Sequence, residues 1–192
     1  MNVLVAYASR HGATKGIAEW IADTLRAEGL EVTLAAVAES TDVAGYDAFV
    51  IGSAAYMGHW LDDATAFVRR HRELLMGRPV WLFSSGPVGD APVDAKGRDA
   101  IEASRPLDFD EFAATIGPRD EAVFFGAWDP TAPPVGMIER LGAPLLRLPG
   151  IRSKIPAGDF RNRPAIEAWS RGIARDLRGL ADPRVEAASA AG

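Results

Sequence analysis

The chain has 192 residues, 48% hydrophobic and 24% charged, which suits an ordinary folded domain with a sizeable core. It has no cysteine, which excludes disulfides, thiolate catalysis and cysteine-ligated metals; its three histidines (His11, His59, His71) show no metal-ligand spacing, so no metal site is expected. A net charge of −5 argues against nucleic acid as a partner.

Asn2–Ala8 (NVLVAYA) is a nearly continuous apolar run ending in small residues, as a central parallel strand covered on both faces requires. From Ala13 to Glu28 the period becomes helical, with Ile17, Ile21 and Leu25 four apart and Gly29 as the stop. Leu30–Ala36 alternates and reads as a second strand; Ala48–Ala54 (AFVIGSA) reads as a third. A loop, Ala55–Trp60, then leads into a helix with Phe67, Val68 and Leu75 inward. Pro79–Ser84 is a fourth strand, followed by a Gly/Pro-rich loop over Ser85–Arg105. Phe109–Ile116 suits a helix and Glu121–Ala127 a fifth strand. Asp129–Arg163 carries six prolines that permit only short helical pieces. Pro164–Leu180 is a closing helix with proline at its start, and the small, charged tail beyond Leu180 is expected to be loose.

This alternation predicts an α/β doubly wound, five-stranded parallel sheet, order 2-1-3-4-5, with helices on both faces, as one domain over residues 1–180. No basic segment precedes an apolar stretch, and no apolar run is long enough to span a bilayer. The expected location is cytoplasmic.

Ligands of such sheets sit at the C-terminal strand ends, where the winding reverses. Three predicted strand ends carry small or hydroxyl residues and then glycine: Ser9 to Gly12, Ser53 to Gly58, and Ser84 to Gly86. The first, S-R-H-G-A-T, puts two hydroxyls around a glycine at a helix start. That pattern suits a phosphate cradle of backbone amides and hydroxyls, and equally suits ordinary helix capping. The sequence lacks G-x-x-x-x-G-K-[ST] and G-x-G-x-x-G, which disfavours a nucleoside triphosphate and a dinucleotide. A mononucleotide with a bulky flat end remains, for which Tyr56, Met57 and Trp60 offer a stacking surface unless they pack as core.

These loops make the chain resemble flavodoxin-like proteins. More narrowly, it resembles the flavodoxin-type, menaquinone-dependent protoporphyrinogen oxidases. The similarity is carried by S-R-H-G-A-T at Ser9–Thr14, I-G at Ile51-Gly52, G-H-W at Gly58–Trp60, F-V-R-R-H at Phe67–His71 and the closing helix around Trp169. The resemblance implies non-covalent FMN, with its phosphate at Ser9, Arg10, His11, Gly12, Ala13 and Thr14. It places the ring between Ser53, Ala54, Ala55, Tyr56, Met57 and Gly58 on one side and Ser84, Ser85, Gly86, Pro87 and Val88 on the other. The flavin then carries the chemistry, and no protein nucleophile is expected. Two departures stand out: His11 occupies a position where the oxidase branch commonly has an acid, and the loop aromatic, Tyr56, lies one residue earlier.

Residues 131–164 hold six cations against two anions, a surplus of +4 against −9 for the rest of the chain. In the oxidases the corresponding insertion is associated with porphyrin and membrane quinone, which implies peripheral contact with the inner face of the membrane. Its aliphatic residues suit packing over the sheet equally well. Three functions follow: an FMN oxidoreductase acting on a porphyrinogen or similar reductant with quinone as acceptor, an electron carrier without a substrate pocket, or a flavin-free binding module.

Overall fold

A computed structural model describes residues 1–40, 42–129, 132 and 156–181. In chain order the elements are β1 (Asn2–Ala8), α1 (Ala13–Ala27), β2 (Glu31–Ala36), β3 (Ala48–Tyr56), β4 (His59–Trp60), α2 (Asp62–Arg70), α3 (Arg72–Met76), β5 (Val80–Ser85), α4 (Asp108–Ile116), β6 (Asp120–Phe124), β7 (Ala127–Trp128), β8 (Gly158–Asp159) and α5 (Arg163–Leu180). The expected tail beyond Ala181 and the interior of the basic insertion lie outside the described residues.

The parallel strands run in the order β2-β1-β3-β5-β6, which is the expected winding, with β4 added antiparallel to β3. Alternate residues of each strand feed opposite faces. Leu4, Phe49, Ile51 and Leu82 pack with Phe67, Leu75, Phe109 and Phe112 under α2, α3 and α4. Val3, Val5, Val50, Trp81 and Phe83 pack with Ile17, Ile21, Ile166, Ile173 and Leu177 under α1 and α5. Burial on both faces is why these strands read as apolar runs. Trp169 Nε1 donates to Asp120 Oδ2 at 2.7 Å, tying α5 to the edge strand.

Three expectations are corrected. The third strand continues two residues past Ala54 because it turns back on itself as a hairpin, Ala55 opposite Trp60 and Tyr56 opposite His59. The helix expected after Trp60 is interrupted at His71, whose ring turns in against Phe67 with centroids 4.8 Å apart. The fifth parallel strand ends at Phe124, not Ala127. There the chain peels away: Gly126 N–H donates to Pro87 O, and Ala127–Trp128 pair with the returning Gly158–Asp159.

Candidate functional site

The register brings the ends of β1, β3 and β5 level, Ala8 beside Ser53 and Ser53 beside Ser84, so all three expected loops meet at one edge of the sheet. In the first, Gly12 turns the chain with φ 84°, a left-handed conformation that favours glycine. Its N–H donates to Ser9 Oγ at 3.0 Å. The first intrahelical bond of α1 runs from Gly16 N–H to Gly12 O, so the amides of Ala13, Thr14 and Lys15 have no intrahelical acceptor. Thr14 is fully buried, yet its hydroxyl has no hydrogen-bond partner in the protein. Neither hydroxyl caps α1. A buried, unpaired hydroxyl beside open amides at a positive helix end suits an external anion.

In the second loop Met57 and Gly58 form the two-residue turn between β3 and β4, with φ 53° and 82°. Positive φ at both positions is the geometry that follows strand twist, and a methionine adopting it is strained. Met57 is 97% exposed and Tyr56 lies at the rim. The Arg10 guanidinium sits 4.7 Å from the centre of the Tyr56 ring and joins the first two loops. Trp60 does not share this surface. It is buried against Phe109 and Phe112, centroids 5.2 and 5.4 Å away, so it is core. Ser53 and Ser84 are also fully buried: Ser53 Oγ donates to Ala54 O and accepts from Leu61 N–H, and Ser84 Oγ reaches Ser53 O at 3.4 Å. Their hydroxyls brace the loops from beneath. Ala54, Ala55 and Gly58 remain partly or fully open.

Asp108 was not legible as part of this edge. Its nearly buried carboxylate accepts from Trp60 N–H at 2.8 Å and lies 3.4 Å from His59 Nδ1. Leu107 N–H donates to Gly58 O. The start of α4 therefore pins the hairpin from 48 residues away; an acid opening a helix is the one signal the sequence offered.

The third loop, Ser85 to Val88, is held by the chain that follows β6. Gly86 N–H donates to Phe124 O, Gly126 N–H donates to Pro87 O, and Pro156 packs on Gly89. The two feet of the insertion, β7 and β8, also line a half-open cleft of about 540 Å³ with His11 of the first loop, bordered further by Trp128, Asp129, Ala132 and Asp159. Arg161, just beyond β8, donates two guanidinium hydrogen bonds and one from its backbone N–H to Asp159; they hold that carboxyl below the usual carboxylate range, and the side-chain pair raises the guanidinium's own value. None of these strap residues was singled out for the site. Among the described residues no group of three or more His, Cys, Asp or Glu has the arrangement of a metal site, and no helix is long and apolar enough to cross a membrane.

A doubly wound sheet whose β1, β3 and β5 end level, with a buried unpaired hydroxyl at the start of α1, is the architecture of a flavodoxin-type redox protein. The chain belongs to the flavodoxin domain family, whose model matches residues 4–129, and its cofactor is FMN. The unpaired Thr14 hydroxyl and the open α1 amides fit the phosphate of that cofactor. Protoporphyrinogen IX dehydrogenase [quinone] of Escherichia coli K12 is 30% identical over 94 residues, 48% of this chain and 52% of that protein. The chain thus matches about half the length of that curated relative. Among solved structures, rubredoxin oxygen:oxidoreductase of Desulfovibrio gigas aligns with a TM-score of 0.56 over 93% of this chain and 36% of that one, at 14% identity. Flavodoxin 2 of Bacillus cereus aligns over 81% of this chain and 100% of its own, at 23% identity and a TM-score of 0.49.

Proposed function

We propose that this chain is an FMN-dependent oxidoreductase that takes electrons from a porphyrinogen or similar hydrophobic reductant and passes them to quinone. The observation that carries this reading is the cleft between His11 and the feet of the insertion. An electron carrier needs only an exposed ring edge, whereas an enzyme needs room for a second molecule near its cofactor; this cleft is half open and adjoins His11, the residue given to the phosphate end. The resemblance to the Escherichia coli dehydrogenase supports the choice of reductant and acceptor.

In this reading Ser9, Arg10, His11, Gly12, Ala13 and Thr14 hold the phosphate, through the α1 amides and the Thr14 hydroxyl. Ala54 to Gly58 and Ser85 to Val88 flank the ring, and Ser53 and Ser84 brace those loops from below. Bound FMN supplies the two-electron redox chemistry. The protein orients it and sets the local field: Arg10, stacked on Tyr56, places a cation at the rim, and the hairpin pinned by Asp108 fixes the backbone facing the ring. The surplus of cations in the sequence of 131–164 supports a substrate that bears carboxylates, or a quinone-bearing membrane with anionic headgroups.

The test is an assay of FMN-loaded protein with porphyrinogen and quinone, each with and without the other. Porphyrin formation and quinol formation that each require both partners support the proposal; no turnover with both present refutes it. One observation favours a flavodoxin-type carrier instead. Met57, 97% exposed, and Leu107, 62% exposed, sit at the hairpin beside the ring loops, as a protein-docking rim would. A carrier reduces a protein acceptor such as a cytochrome but leaves porphyrinogen untouched.

A further inference from the structure

Among the described residues, the returning strap meets α1 through Arg161. Arg161, only 16% exposed, is held by Asp159 through Nε to Oδ1 at 2.8 Å and Nη2 to Oδ2 at 2.6 Å. Its Nη1 points to Ala13 O at 3.4 Å, and its guanidinium lies 4.7 Å from the centre of the Trp20 ring. Nη1 also occupies the space that a Cβ at position 16 would need, so Gly16 admits the guanidinium against the helix. These contacts fall on the first turns of α1, the turns whose free amides form the anion cradle.

We propose that Arg161 is a positioning residue for the phosphate end of the FMN site, acting on the α1 cradle from 148 positions away in sequence. This rests on the FMN reading. The physical reason is an asymmetry of solvent. Asp159 is 52% exposed and its charge is screened by water, whereas the guanidinium is shielded and lies against the helix. The pair is therefore not neutral at the cradle: Glu19 of α1 also acts on the guanidinium but is itself paired with Lys15, so the cationic end adds to the positive end of α1. The same contact fixes the first turn, so the amides of Ala13 to Lys15 are held in place before the phosphate arrives. Arg163, 5.5 Å from the same Trp20 ring, closes the other end of this clasp.

The test compares FMN with riboflavin, which has the same ring and ribityl chain but no phosphate. Apoprotein is titrated with each, by flavin fluorescence, for wild type, Arg161→Ala, Arg161→Lys and Gly16→Ala, with far-UV circular dichroism as the folding check. Arg161→Ala should raise the Kd for FMN by about fivefold, as expected for a charge at a helix terminus, and leave riboflavin unchanged. Arg161→Lys should recover part of the loss by restoring the charge without the fork. Gly16→Ala keeps the charge but displaces it, and should reproduce the FMN-selective loss even if the first variant does not fold. Equal losses for both flavins, or none for either, overturn the inference, because the strap would then only stabilise the fold. Wild-type protein that bound neither flavin would remove the FMN reading and the inference with it.

Discussion

Replacing Thr14 by valine should separate apoprotein stability from cofactor affinity. The side chain is fully buried and its hydroxyl is unpaired in the protein. A buried hydroxyl without a partner costs about 1–3 kcal/mol. Valine keeps the shape and the β-branch, and removes the polar atom, so the apoprotein should hold its stability or gain about 1 kcal/mol, a rise in Tm of roughly 2–4 °C at this chain length. In the proposed placement of FMN, the same hydroxyl would bond the charged phosphate, a contact worth about 1.5–3 kcal/mol. Its loss should raise the Kd by about 10- to 150-fold. Urea unfolding of the apoprotein and fluorescence titration with FMN read the two effects separately. An apoprotein weakened by more than about 1 kcal/mol, with FMN affinity unchanged, would show that the hydroxyl serves the fold and that the cradle assignment is wrong.

Met57→Asn should stabilise the hairpin by about 0.5–1 kcal/mol in urea unfolding, since asparagine tolerates the positive φ that methionine adopts under strain. No gain would mean that the turn is not strained. Asp108→Ala should cost about 1.5–3 kcal/mol by leaving Trp60 N–H without its charged acceptor; fluorescence of the unfolding transition measures this, and a loss below about 0.5 kcal/mol would refute the pinning role. His71 has its pKa lowered, first by burial and then by the Arg70 charge. The unfolded chain therefore binds a proton before the folded one, and stability falls as pH drops through the ordinary histidine range. His71→Gln should flatten the decline in Tm between pH 7 and pH 5; an unchanged slope assigns that decline to other groups.

What could be read from residue order alone was whatever depends on neighbours along the chain. Two-face burial makes each parallel strand an apolar run, and the small residues at the ends of β1, β3 and β5 marked the edge where a cofactor approaches backbone. The S-R-H-G-A-T loop was legible because hydroxyl, glycine and helix start fall within one turn of chain. The hairpin was not, since Met-Gly is a poor match to the Asn-Gly turn that usually announces one, so residue order ends the strand at Ala54 and leaves Trp60 open between stacking surface and core. Trp60 became core only when α4 brought Phe109 and Phe112 against it.

The Asp108 anchor, the Arg10–Tyr56 contact and the Arg161 clasp were decided only in three dimensions. Each joins residues from separate crossovers, 46 to 148 positions apart, and no local pattern records which side chains a parallel sheet will bring together. Period and composition thus determined the sheet and the edge where its loops gather, because those follow from local burial and backbone freedom. Tertiary packing decided what holds the loops and where the Arg161 guanidinium lies, because a shielded cation or a braced turn exists only after the crossovers have closed.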